Sequence, residues 1–239
     1  THYYDHPNPK YNLLIAATAE EEIAGKKSLS GLLEKLPKID FAIVGEPTLM
    51  DLAIAEKGLV VFEALIKGTP SHAAHPNADN PLMKIPAVIQ AIESVQFDKV
   101  SSVLGPVKVT LTQIEAGSQH NVVPSEVRLV IDVRVNECYT NSEIEQHLKA
   151  MLPCEINARS LRLKSSSIDV THPLIKTGIA LGKKIYGSPT LSDQAALDCP
   201  SLKLGPGDST RSHSADEFIY IKEIEDGIAF YIDLLKNIL

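Results

Sequence analysis

The hydrophobic period changes twice along this chain, and that change limits the possible folds more than any other feature. Near the start, Asn12-Leu-Leu-Ile-Ala-Ala-Thr18 and Phe41-Ala-Ile-Val44 are short unbroken apolar runs, the pattern of strands buried on both faces. Between them Leu29, Leu32, Leu33 and Leu36 recur at helical spacing. Buried strands alternating with helices predict a mainly parallel α/β sheet. From residue 59 the period shifts. Residues 59–66 have strand character, and 107–114, 127–135 and 155–163 alternate apolar with polar. Residues 80–95 and 141–152 have helical spacing, the second opened by the capping residues Thr140-Asn141-Ser142. The order β-α-β-β-α-β is that of a ferredoxin-like α+β unit. Its half-polar strands suit an antiparallel sheet with helices on one face and the other face open to a second copy. The first pattern then returns, with a helix over 173–185, a breaker at Gly187-Ser188-Pro189, a short strand at Ser201-Leu-Lys-Leu-Gly205 and an amphipathic helix over 221–239. The reading is an α/β domain in two segments, 1–57 and 168–239, interrupted by an inserted α+β domain over 58–167.

The 239 residues, 44% hydrophobic and 22% charged, are enough for two cores. No apolar run approaches the length that crosses a bilayer. The net charge of -7 and the lack of any Lys/Arg cluster argue against nucleic acid or an anionic membrane as partner. Cys138, Cys154 and Cys199 are far apart and odd in number, which reads as reduced thiols of a cytosolic protein. Residues 1–10 resemble neither a signal nor a transit peptide, so the default compartment is the cytoplasm; the chain starts at Thr1, which leaves an upstream signal open.

Ligands of open α/β sheets bind beyond the carboxyl ends of the strands. Three such ends carry chemistry here: Thr18-Ala-Glu-Glu-Glu22, Gly45-Glu46-Pro47, and Gly205-Pro-Gly-Asp-Ser-Thr-Arg-Ser-His213. Carboxylates gathered in one crevice repel, so either some are protonated or a cation is present. Glutamate with histidine is a donor set that zinc accepts. Adjacent glutamates point in different directions, so one can hold metal while its neighbour takes a proton from water. Each motif alone also has a plainer reading. An acidic triplet often only complements a helix dipole, and a loop Glu or His is often only solvated. The functional reading rests on all three following buried strands.

At these residues the sequence resembles a known family. Thr18-Ala-Glu-Glu-Glu22, Gly45-Glu-Pro-Thr48, Ser71-His72-Ala-Ala-His-Pro76 with Asp79-Asn80-Pro81, Asn121-Val-Val-Pro124, Asp132-Val-Arg134 and Gly205-Pro-Gly-Asp208 through His213-Ser-Ala-Asp-Glu217 occur in order. The set resembles the acetylornithine deacetylase, succinyl-diaminopimelate desuccinylase and carboxypeptidase G family of co-catalytic zinc metallohydrolases. It looks most like the acetylornithine deacetylase-like branch, which serves arginine biosynthesis. The resemblance implies that Glu21 is the general base, and that Glu22, Glu46 and His213 are metal ligands. It further implies that His72 steadies the oxyanion in the partner subunit's site, and that Asn121 and Arg134 hold substrate polar groups. Two zinc ions per full-length subunit, with cobalt or manganese as substitutes, an N-acyl amino acid substrate, and a homodimer formed through the inserted lid are also implied. A dipeptidase or carboxypeptidase of the same family shares these motifs, and a non-catalytic dimerisation module is the alternative outside enzymology. His75, His120 and His172 receive no role. Asp208 and Arg211 either contact substrate or shape the loop.

Two departures from the family pattern stand out. The opening His-x-Asp and the later Asp that bridges two metals have no counterpart here, so the segment by itself is expected to be inactive or nearly so. Ser192-Asp193 is followed by Gln194 and Ala195, where some relatives carry Arg two residues after the pair; this counts against succinyl-diaminopimelate specificity.

Overall fold

The computed structural model describes residues 2–5, 11–21, 25, 27–236 and 238. The chain divides into two units, residues 1–56 with 166–239, and residues 57–165. In chain order the first unit begins with α1 (His2–Asp5), α2 (Leu29–Leu33), β1 (Ala42–Val44) and β2 (Leu52–Glu56). The second holds β3 (Gly58–Lys67), β4 (Ser71–His72), α3 (Ile85–Ser94), β5 (Lys108–Ala116), β6 (Val122–Val123), β7 (Glu126–Val135), α4 (Asn141–Met151) and β8 (Glu155–Ala158). The chain then returns to the first unit with β9 (Ser166–Ser167), α5 (Pro173–Ala180), β10 (Ile185–Ser188), β11 (Ser201–Lys203) and α6 (Ile221–Leu235).

The first unit is built on a sheet in the order β1-β11-β2-β10, with β9 paired to β2. Pairing is parallel between β1 and β11 and between β10 and β2, and antiparallel between β11 and β2 and between β2 and β9. Every residue of β2 is buried. Its small residues, Ala53 and Ala55, leave room for cover, and α5 comes close because Gly178 has no side chain. A Cβ there would lie 2.7 Å from Leu52 Cδ1, closer than packed carbons tolerate.

The buried strand expected over 12–18 is not formed. The segment carries no strand assignment, and Leu13, Leu14 and Ile15 are 49%, 48% and 88% exposed. An apolar run becomes a strand only where neighbours satisfy its N–H and C=O groups; among the described residues no strand pairs with it. The helix expected over 173–185 stops at Ala180. Gly182, at φ +85°, turns the chain, the Leu181, Gly182 and Lys183 amides close on the last helical carbonyls, and residues 185–188 become β10 instead. The expected strand over 155–163 shortens to β8, beyond which the Arg159 N–H still bonds the Val61 carbonyl.

The second unit follows the expected order. Its antiparallel sheet runs β5-β7-β3-β8, and β3 and β7 pair without slip from Gly58↔Val135 to Lys67↔Glu126. Period-two alternation sends Val60, Phe62, Ala64 and Ile66 of β3 and Val127, Leu129, Ile131, Val133 and Val135 of β7 into one core. Val88 and Ile92 of α3 and Ile144 and Leu148 of α4 close that face. A capping box starts α4: the Thr140 N–H donates to Glu143 Oε2 (2.7 Å) and the Glu143 N–H to Thr140 Oγ1 (3.2 Å). Among the described residues no helix is long and apolar enough to cross a membrane. Cys138, Cys154 and Cys199 are half-buried free thiols, and burial pushes Cys154 and Cys199 above the ordinary thiol value.

His172 has a structural task that the sequence did not reveal. It caps α5, its Nδ1 accepting the Leu174 N–H (3.2 Å). Partial burial lowers its pKa, against a smaller opposing pull from Asp169. The folded state therefore favours the neutral ring. This contribution is full above the unfolded value, about 6.5, and is lost as the pH falls through the depressed folded one. A protonated Nδ1 also cannot accept the Leu174 bond. Melting temperature is expected to decline on acidification from pH 7 to pH 5, and His172→Asn, which keeps a capping acceptor, should flatten that decline in a thermal scan.

Candidate active site

The site begins with two neighbouring strands that end together. β1 and β11 run parallel in the register Ala42↔Ser201, Ile43↔Leu202 and Val44↔Lys203. Gly45-Glu46-Pro47 and Gly205-Pro206-Gly207 therefore leave the sheet side by side at its carboxyl end. The loops are stitched to one another. Leu204 N–H donates to the Val44 carbonyl (3.0 Å), Thr48 N–H and Met50 N–H to the Gly205 carbonyl (3.1 Å each), and Leu49 N–H to the Gly207 carbonyl (2.8 Å). Thr48 Oγ1 also accepts the Gly205 N–H (3.2 Å) and donates to its carbonyl (3.3 Å). The approach requires glycine at 205, because a Cβ there would sit 2.6 Å from the Glu46 carbonyl oxygen. Leu49 and Met50 both adopt positive φ to make the turn, at some conformational cost.

The second loop leads to His213. Asp208 caps the short turn Ser209–Arg211, accepting from Thr210 N–H (2.9 Å) and Thr210 Oγ1 (2.8 Å), and these bonds hold its carboxyl below the usual range. Arg211 makes a two-pronged bond to Glu223 of α6 (2.8 and 3.0 Å) while its guanidinium lies over the rings of Phe218 and Tyr220. That fork lowers the Glu223 carboxyl and raises Arg211. The role left open between substrate contact and loop shaping thus falls, for Arg211, on shaping. Tyr231 of α6 adds a second anchor: its hydroxyl donates to the Leu204 carbonyl at 2.5 Å, and burial pushes its pKa up to about 12. His213 itself has φ +59°, and its N–H donates to Glu217 Oε2 (3.1 Å).

Glu21 is half-buried and follows Glu20, which has φ +60°. The Glu20 carbonyl accepts from Gly25 N–H (3.0 Å), and its side chain accepts from Lys27 N–H (3.2 Å). Upstream, Thr18 Oγ1 donates to Asp193 Oδ2 (3.1 Å). Glu22 lies outside the described residues. Of the expected ligands, Glu46 and His213 thus stand on joined loops. Carboxylate oxygen and imidazole nitrogen are donors that a divalent metal accepts. Among the described residues no group of three or more His, Cys, Asp or Glu converges as a metal site.

The second unit places its candidates in two regions. His72 and Asn121 come together in the ribbon β4–β6, where His72 pairs with Val122 and the Ala73 N–H bonds the Asn121 carbonyl (2.9 Å). His72 Nδ1 accepts the Ala74 N–H (3.1 Å), so the neutral ring carries its proton on the exposed Nε2 and presents a donor. Arg134 is elsewhere. Its Nε and Nη2 are bonded to Asp132 Oδ1 and Oδ2 (2.8 and 3.1 Å), and it pairs with Leu59 at one end of β3, while the ribbon follows Lys67 at the other. Eight strand steps separate Leu59 from Lys67, roughly 26 Å at about 3.3 Å per residue.

Residues 54–155 match the family model for the peptidase dimerisation domain of M20 enzymes. A succinyl-diaminopimelate desuccinylase from Wolbachia pipientis subsp. Culex pipiens is 28% identical over 241 residues, covering 93% of this chain and 60% of that protein. The solved structure of a dinuclear metal-binding M20 peptidase from Bacillus subtilis superposes with a TM-score of 0.68 at 17% identity, over 92% of this chain and 63% of the other. The matched segment is an M20-type peptidase dimerisation domain, and the chain is similar to M20 metallohydrolases along most of its length. The chain is also similar to a putative LysW-lysine/LysW-ornithine hydrolase from Pyrobaculum aerophilum, 30% identical over 230 residues, with 91% and 64% of the two chains aligned. The chain spans 60% to 63% of the length of the three curated Wolbachia desuccinylases it matches.

Sequence reasoning missed the buried polar groups of β2 and β11, the strands next to the candidate site. Lys203 Nζ and Glu56 Oε2 form an ion pair of 2.8 Å with side chains 4% and 0% exposed. The signal was present: a lysine inside the apolar run Ser201-Leu-Lys-Leu must meet a buried anion or break the strand.

The close contact between the two loops yields a stability test. Gly205→Ala is expected to lower unfolding free energy by about 1–3 kcal/mol in a urea titration. Gly45→Ala, whose added carbon meets nothing within 4 Å, should leave the midpoint nearly unchanged.

Proposed function

We propose that this protein carries most of a metal-dependent amidohydrolase that cleaves the acyl group from an N-acyl amino acid, of the N-acetyl- or N-succinyl-ornithine type. The observation that carries the reading is the pair of stitched loops, which brings Glu46 and the segment leading to His213 out of the sheet together. Glu46, His213 and, from the sequence, Glu22 would hold the metal, with zinc the first choice and cobalt or manganese as substitutes. When bound, the metal polarises the acyl carbonyl and acidifies water. The Glu21 carboxylate takes the proton of the attacking water and delivers it to the leaving amine nitrogen. The His72 Nε2–H donates to the oxyanion as the carbonyl becomes tetrahedral, a kind of contribution typically worth about 3–4 kcal/mol. Asn121 and Arg134 hold polar groups of the substrate; the Arg134 fork suits a carboxylate, and Asp132 keeps it extended along the strand.

The register within the second unit supports a homodimer. One copy of the unit cannot bring His72 and Arg134 to the same small substrate across roughly 26 Å of strand. A second copy can, if each site takes Arg134 from its own chain and His72 with Asn121 from the partner. The unit over 58–167 is then lid and dimerisation module at once, and the segments 1–57 and 168–239 are the catalytic domain. Among the relatives, the names of the desuccinylases favour N-succinyl-diaminopimelate as a second substrate reading, against which stands the Gln194-Ala195 departure.

In the complete gene product supplied with zinc, release of primary amine should be seen with at least one of N-acetylornithine, N-succinylornithine and N-succinyl-diaminopimelate, and should stop on chelation. Turnover restricted to dipeptides would redirect the reading to a peptidase. Glu21→Gln should keep metal, measured by dialysis and elemental analysis, and lose at least about 100-fold in kcat. Mixing two inactive variants, His72→Ala and Arg134→Ala, is expected to regenerate activity as subunits exchange, because one composite site then regains both residues. No recovery would mean that each chain uses its own His72.

A further inference from the structure

We propose that Thr18 and Asp193 are positioning residues for Glu21, joined by one hydrogen bond across 175 residues of sequence. The proposal rests on Glu21 being the general base. Residues 11–17 pair with no strand among the described residues. The Thr18 hydroxyl, bonded to Asp193 Oδ2 at 3.1 Å, supplies a fixed point three residues before Glu21. The second fixed point is Glu20, whose carbonyl and carboxylate receive the Gly25 and Lys27 amides.

Asp193 is a firm acceptor because of what lies behind it. It opens a short turn, Asp193–Ala196, capped by the buried Ser192. Ser192 gives both its N–H (3.2 Å) and its hydroxyl (2.8 Å) to the Glu56 carboxylate. Glu56 is paired with Lys203, which also donates to Ser188 Oγ (3.1 Å) and the Thr190 carbonyl (3.0 Å). The acceptor is therefore tied to β2, to β11 and to the loop after β10. Lys203 is in register with Val44, two residues before Glu46. Thr18, Glu46 and the loop to His213 thus take their positions from one buried framework, and an error of about 1 Å in a base is enough to cost ~100-fold in rate.

The test compares Thr18→Val, which removes the hydroxyl at nearly constant shape, with Thr18→Ser, which keeps it. In the complete gene product with its metal, Thr18→Val should lower kcat about tenfold or more with KM within about twofold, and Thr18→Ser should restore most of the loss. Exchange of the Gly25 and Lys27 amides, followed by mass spectrometry, should be faster in Thr18→Val and near wild type in Thr18→Ser. If Thr18→Val does not fold, Asp193→Ala takes its place in both measurements. Unchanged kcat in the valine variant, or equal loss in valine and serine variants, overturns the proposal. If the wild-type protein hydrolyses none of the substrates, the hydrolase reading fails separately. The exchange measurement still decides whether the bond holds the segment, and unchanged protection in Thr18→Val overturns it.

Discussion

The ion pair between Lys203 and Glu56 is the constraint on which the first unit depends. Both side chains are taken out of water, where an unpaired charge would be costly by several kcal/mol. The pair is tolerable because its remaining bonding capacity is used: Ser192 bonds Glu56 twice, and Ser188 and Thr190 serve Lys203. Such a network has few alternative arrangements, so it fixes β2, β11 and the loop from 188 to 196 relative to one another. An apolar replacement of the same volume can pack as well, but it would not specify direction in this way.

The second unit shows how much of a fold a period can carry. The alternation in 127–135 and the helical spacing in 141–152 were enough to predict β7 and α4, because one face of each is buried continuously and nothing else competes. Thr140 and Glu143 marked the helix start, since a capping box is purely local. The first unit was less legible for the opposite reason. Apolar runs at 12–18 look the same whether or not a ladder exists to receive them, and nothing local to Leu52–Glu56 shows why a strand buried along its whole length ends in glutamate. Its charge is met by Lys203, 147 positions away, and by Ser192.

The candidate site was legible as a set of residues but not as a geometry. Glu46 and His213 were marked by their place after apolar strands, and the structure joins their loops. Nothing in the sequence showed that Arg211 is occupied by Glu223, or that His172 is a helix cap. Those assignments depend on partners brought in by tertiary packing. The separation of Arg134 from His72 was likewise invisible in the motif order and follows only from strand register. That register puts Arg134 and His72 at two ends of a single copy of the inserted unit.

His213 illustrates a limit that backbone shape sets on the history of such a site. Its left-handed conformation is one that glycine adopts freely, that asparagine, aspartate and histidine enter several-fold more often than other residues, and that branched side chains strongly resist. The position therefore filters mutations before any ligand does. Aspartate would keep both the turn and a donor atom, glycine only the turn, and valine or isoleucine neither. Neutral drift through most of the amino-acid alphabet is closed at this residue, and a change of donor chemistry has one short route open to it.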